Sequence, residues 1–175
     1  MQDQAKAFLN KYVTDEYLLL HSEMVALAME AVAKHLGEDP DLFYTTGLIH
    51  DWDFDKWPSE HPGRYDQLKS ELGVDEIVIE AIKGHGDLNY PRTTTLSKAL
   101  LACDELSGLL YAYKKMVGSY RDMKVPSIKK KIYKEPKFAA KVDREHVITG
   151  INELGIDEDT FLTMLRDTFS IFLDK

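Results

Sequence analysis

The apolar residues of this chain recur at helical spacing through almost its whole length. In "TDEYLLLHSEMVALAMEAVAKHLG" (14–37), Leu20, Met24, Leu27 and Ala31 are three or four positions apart, which puts them on one face of a helix. Thr14 is an N-cap candidate, acids fill the first turn, and Gly37 is a C-terminal stop. Only "EIVIEAI" (76–82) is rich enough in β-branched residues to suggest a strand. No second run offers it a partner, so it too reads as helix, with Asp75 as its cap. The expected fold class is all-α.

Further helices follow from the same signals. "DPDLFYTTGLIHD" (39–51) opens with an aspartate cap and a first-turn proline. "YDQLKSELG" (65–73) ends in a glycine, and "TTTLSKALLACDELSGLLYAYKKMVG" (93–118) is a long apolar helix. Three more helices are expected: near Ile128 to Tyr133, from Pro136 to about Leu154, and from Asp157 to Leu173. No repeat, low-complexity tract or linker divides the 175 residues, so one domain spans 1–175. Its core lies at about 15–120, with a helical extension at about 126–175.

Composition limits the function. A net charge of −8 makes general binding of a nucleic-acid duplex unfavourable. The single cysteine, Cys103, excludes an internal disulfide and a cysteine-rich zinc site, and fits a reducing cytoplasm. It lies in an apolar helix and reads as core. The N-terminus lacks the basic-then-apolar pattern of a secretory signal, and no window is apolar enough to span a membrane. A cytoplasmic protein without a membrane partner is expected.

The polar residues that interrupt the apolar pattern carry the chemistry. In "GLIHDWDFDKWPSEHPGRY" (47–65) an apolar helix ends in His50-Asp51, followed by Asp53, Asp55 and His61. His21 sits inside an apolar-rich helix, His85 closes "AIKGH", and Asp104 follows Leu100, Leu101, Ala102 and Cys103. A buried ionised carboxylate without a partner costs several kcal/mol. A divalent cation would neutralise these groups together; separately, each could be a solvent-facing or hydrogen-bonded residue. His35 and His146 are read that way, and Asp55 as a turn residue. Asp51, Asp53 and Asp55 imitate the start of a calcium-binding EF-hand loop, but Lys56 and Pro62 occupy the positions that need Gly and Glu. An aspartyl-phosphate motif is excluded by its helical context. No His-Glu-x-x-His, phosphate-binding glycine loop or Gly-x-Ser-x-Gly occurs.

The order His21, His50-Asp51, Asp104, each on a separate expected helix, resembles the HD superfamily of metal-dependent phosphohydrolases. "GLIHDWDFDKWPSEHP", "IVIEAIKGHG", "ALLACDELSGLLYAYKKMV" and "SIKKKIYKEPKFAAKVDREHVITGINELGI" are similar to segments of small single-domain HD proteins, so the resemblance runs from about Tyr17 to Ile156. It implies a compact HD-domain helical bundle. It also implies a metal-dependent phosphohydrolase in which metal-activated water attacks a small phosphate ester or nucleotide.

By position, the resemblance assigns His21, His50, Asp51 and Asp104 as metal ligands. His61 and His85 match positions that hold a second ion in dinuclear members, with Asp51 as the bridge; otherwise they contact substrate phosphate. The cofactor is then one or two divalent ions. Imidazole and carboxylate ligands suit Mn, Fe, Co, Ni or Zn, with Mg a further candidate. Asp51 and Asp53 are the candidate catalytic carboxylates, Asp51 as ligand and Asp53 as its supporting partner. Lys129, Lys130 and Lys131 form a local basic segment. They are either a solvated helix face or cations that guide a small anionic phosphorylated substrate. Two alternatives remain: an HD-fold di-iron oxygenase on a similar ligand set, and a regulatory or ligand-binding module with little turnover.

Overall fold

The computed structural model describes residues 1–174, and in them the chain forms helices only. These are α1 (Gln2–Tyr12), α2 (Glu16–Leu36), α3 (Pro40–Ile49), α4 (Tyr65–Leu72) and α5 (Glu76–Gly86). They continue with α6 (Thr95–Val117), α7 (Val125–Tyr133), α8 (Arg144–Leu154) and α9 (Glu158–Leu173). The two longest, α2 and α6, pack on each other at the centre. α3 and α9 lie against α2; α5 and α8 lie against α6. Among the described residues no helix is long and apolar enough to cross a membrane.

Local signals account for most helix ends. Asp39 accepts from the backbone N–H groups of Asp41 and Leu42, with Pro40 in the first turn. α6 starts in a reciprocal capping box between Thr94 and Ser97. Gly37, Gly73 and Gly155 close α2, α4 and α8 with φ of 74°, 64° and 73°, values open to glycine at no steric cost.

Three local expectations change. Asp15, not Thr14, caps α2 by accepting from the N–H of Leu18; the Thr14 N–H and hydroxyl donate to Asp55 instead. The helix expected from Pro136 begins only at Arg144, where Asp143 caps it. Residues 135–142 form turns because Arg144 reaches back to the carbonyls of Phe138, Ala139 and Val142, holding Ala139 at φ 45°. Finally, α1 lies outside the expected core span, yet it buries Phe8, Leu9 and Tyr12. The rings of Phe8 and Tyr12 pack with Trp52.

Two glycines set how closely the central helices approach. A Cβ on Gly47 would stand 2.9 Å from the backbone of Ala26, and one on Gly150 would stand 2.5 Å from Cα of Ala102. Backbone cannot yield as a side chain can. Gly150→Ala should therefore destabilise the fold by about 1–3 kcal/mol through overpacking of α8 on α6. Helix propensity alone would favour Ala by about 1 kcal/mol. Thermal unfolding decides between these opposed signs.

Candidate metal centre

Six side chains from five parts of the chain converge. His21 comes from α2, and His50 and Asp51 from the turn after α3. His61 comes from the following loop, His85 from the end of α5 and Asp104 from the middle of α6. The close approach at Gly47 carries the end of α3 onto α2, so His50 lies beside His21 with ring centroids 5.3 Å apart.

The donor atoms fall into two sets that meet at one carboxylate. Oδ2 of Asp51 faces Nε2 of His50 at 3.3 Å and Nε2 of His21 at 3.8 Å. Oδ1 of Asp104 lies 2.9 Å from His21 Nε2 and 3.4 Å from His50 Nε2. On the other side, Oδ1 of Asp51 faces Nε2 of His61 at 3.2 Å and Nε2 of His85 at 3.3 Å. Within each set the donors lie within 4.8 Å of one another. Two donors about 2.1 Å from one ion, at right angles to each other, stand about 3 Å apart.

The imidazoles are oriented from behind. Nδ1 of His50 donates to the Gly47 carbonyl at 2.7 Å, and Nδ1 of His85 to the Ile82 carbonyl at 2.6 Å. Nδ1 of His61 donates to Asp53 Oδ1 at 2.6 Å, while Asp53 Oδ2 accepts from the Gly63 N–H at 2.9 Å. A carbonyl can only accept, so Nδ1 of His50 and of His85 carries a proton, and in the neutral form of each ring the Nε2 lone pair would turn to the centre. That aims lone pairs of nitrogen and carboxylate oxygen at one another. The fully buried His50 Nε2 makes no hydrogen bond of acceptable geometry. A cation resolves both problems, so the residues fit one.

Without metal, protons stand in for it. Burial pushes His50 down, but the charges of Asp51 and Asp104 outweigh it and hold His50 well above the usual imidazole value. Burial likewise lowers His61, and hydrogen bonds to Asp51 and Asp53 reverse this and raise it to about 9. Burial would raise Asp51 and Asp104, yet the imidazoles keep both below the usual carboxylate value. Metal uptake must displace these protons, so affinity should rise with pH from about 6 to about 9. Calorimetry at pH 7 in buffers of different ionisation enthalpy should show net release of at least one proton. In the metal-free protein the His61 contacts stabilise the fold below its ordinary value of 6.5. They are lost as pH rises through about 9.

The cluster forms the floor of an open cavity of about 740 Å³. Tyr17, Phe54, Glu105, Lys141 and His146 contribute to its walls. Burial and the neighbouring Asp104 push the Glu105 carboxyl up to about 7. Lys129, Lys130 and Lys131 are not among the lining residues. Lys129 pairs with Glu158 and Asp159 at 2.8 and 2.7 Å, and Lys130 and Lys131 pair with Glu135. The cavity is lined instead by Lys141 and His146, neither of which the sequence singled out as a substrate contact. His146, expected to be a structural residue, reaches the cavity because Gly150 lets α8 approach α6. Asp55 stays at the cavity edge, where it accepts from Thr14 and from the N–H of Asp15. Cys103 is buried in the core.

No family model, curated protein or solved structure matches the chain. The structure supplies a helical fold and a His/Asp cluster that could hold metal, which is compatible with an HD-like motif.

Proposed function

We propose that this protein is a dinuclear, metal-dependent phosphohydrolase acting on a small phosphate ester or nucleotide. The observation that carries the reading is Asp51, whose two oxygens face two separate histidine sets on the floor of an open cavity. Two bound divalent ions would lower the pKa of a water and polarise a phosphoryl oxygen. The protein's own groups do the rest. His21, His50 and Asp104 complete one set, and His61 and His85 the other. Asp53 holds the His61 ring in place from behind; it is buried, does not line the cavity, and its two oxygens accept from His61 and the Gly63 N–H. Lys141 draws an anionic substrate across the acidic protein surface to the cavity, and His146 lines the wall beside it.

The test is metal content at saturation together with a phosphate-ester panel. Wild type should hold two ions, and the His61→Ala, His85→Ala double variant one, with hydrolysis lost. One ion in both proteins rules out the second set. Asp53→Asn, which weakens the support of His61, should reduce metal affinity about 10- to 100-fold with little change in helicity. An unchanged affinity would sink that role. The same shared-carboxylate geometry also suits two irons, so oxygen consumption by iron-loaded protein, with no ester hydrolysed, would favour the oxygenase.

A further inference from the structure

A second hollow, of about 360 Å³, adjoins the metal cavity. The two share Tyr17, Gly108, Lys141 and Val142 as lining. Their chemistry differs. The first is floored by carboxylates and imidazoles. The second is walled by Tyr17, Tyr111 and the short side chains of Ala112, Ala139 and Ala140, with Lys115 at its edge. The rings of Tyr17 and Tyr111 are 5.1 Å apart, and the Lys115 ammonium lies 4.5 Å from the Tyr111 centroid.

Gly108 stands at the junction, inside α6. Its role differs from that of Gly47 and Gly150. A Cβ here would meet only Tyr17 Oη and Val142 Cγ2, both at 3.7 Å, which is ordinary contact. Helix packing therefore does not require glycine, and the helix itself disfavours it relative to alanine. What glycine leaves is the absence of a side chain where the two hollows adjoin. The alanine wall opposite is also built: Ala139 keeps φ 45° because Arg144 clamps the carbonyls on either side of it.

We propose that this hollow is a ring-binding subsite, and that Gly108 keeps the passage to it open. It takes the flat apolar ring of the leaving group of a phosphate monoester whose phosphoryl group lies over the metal centre. The subsite rests on the phosphohydrolase reading for the position of the phosphoryl group. In the reaction the ester P–O bond breaks, a water oxygen bonds to phosphorus, and the ringed alcohol leaves with a proton. Stacking and burial of the ring against the tyrosines supply the preference, and the volume lies in the range of about 300–1,000 Å³ usual for ligand sites.

The experiment compares 2-phenylethyl phosphate with ethyl phosphate, whose leaving alcohols are similar in acidity. It also compares the two matching phosphonates, which cannot be hydrolysed. Calorimetry on metal-loaded wild type should show 2-phenylethylphosphonate binding about tenfold more tightly than ethylphosphonate. The esters should show the same ratio in kcat/KM. Gly108→Leu, which blocks the passage, and Tyr111→Ala, which removes a ring wall, should each bring both ratios close to one while metal content is retained. Should Gly108→Leu fail to fold, Tyr111→Ala decides alone. Equal binding of the two phosphonates by wild type, no binding of either, or a ratio that persists in the folded variants overturns the subsite. A ring preference in binding with neither ester hydrolysed supports the subsite and counts against the hydrolase reading alone. Hydrolysis of both esters without a ring preference does the reverse.

Discussion

Asp51→Ala should abolish hydrolysis and strip the centre of both ions while the helical circular dichroism signal persists. The loss should exceed the 10- to 100-fold typical of removing a residue that merely supports a ligand, because this carboxylate alone joins the two sets of donors. The structure also predicts a difference between sites. Asp104 faces only His21 and His50, so Asp104→Asn should weaken the ion on that side and leave the one at His61 and His85 in place. Elemental analysis of both variants, saturated with metal and desalted, checks the pattern. Full retention of metal by Asp51→Ala would remove Asp51 from the centre.

Trp52→Ala should produce the largest loss of stability. The indole is fully buried and packs against Phe8, Tyr12 and Trp57 with centroids 4.9, 5.1 and 5.8 Å away. Truncating a buried aromatic to alanine costs about 3–5 kcal/mol, against a total of roughly 5–15 kcal/mol for a domain. At about 2–4 °C per kcal/mol for a chain of this size, Tm should fall by roughly 6–20 °C. Metal affinity should fall with it, since Trp52 lies between Asp51 and Asp53 and anchors the turn that carries them. Phe54, in the same turn, is 46% exposed. Phe54→Ala should leave Tm within about 1 °C, as surface truncations commonly do. Equal losses in the two variants would mean that the turn is not held by Trp52.

The helices were legible in the sequence because their signals are local. Apolar spacing within a single segment, aspartates before Pro40 and Glu158, and glycines after Leu36, Leu72 and Leu154 all act over one or two turns. The unusual polar residues could also be read there, since an aspartate after Leu100–Cys103 requires compensation wherever it is buried. The expected helix from Pro136 failed because the competing interaction is a clamp by Arg144 on carbonyls up to six residues before it, which no apolar period reveals. Lys129 to Lys131, read either as a solvated helix face or as substrate guides, are engaged in ion pairs, of which only those at Lys129 are long-range. Lys129 is engaged by acids about thirty residues further along, at the start of α9, and Lys130 and Lys131 by Glu135.

The sequence by itself determined the all-α class, several of the helix ends and the candidate donors, through forces that act between near neighbours. Only the tertiary structure decided that Asp51 divides its oxygens between two histidine sets, that α1 covers Trp52, and that Lys141 and His146 reach the cavity. The first and last of those outcomes depend on how closely α3 approaches α2 and α8 approaches α6. These separations are set by backbone contact at Gly47 and Gly150, between residues far apart in the chain.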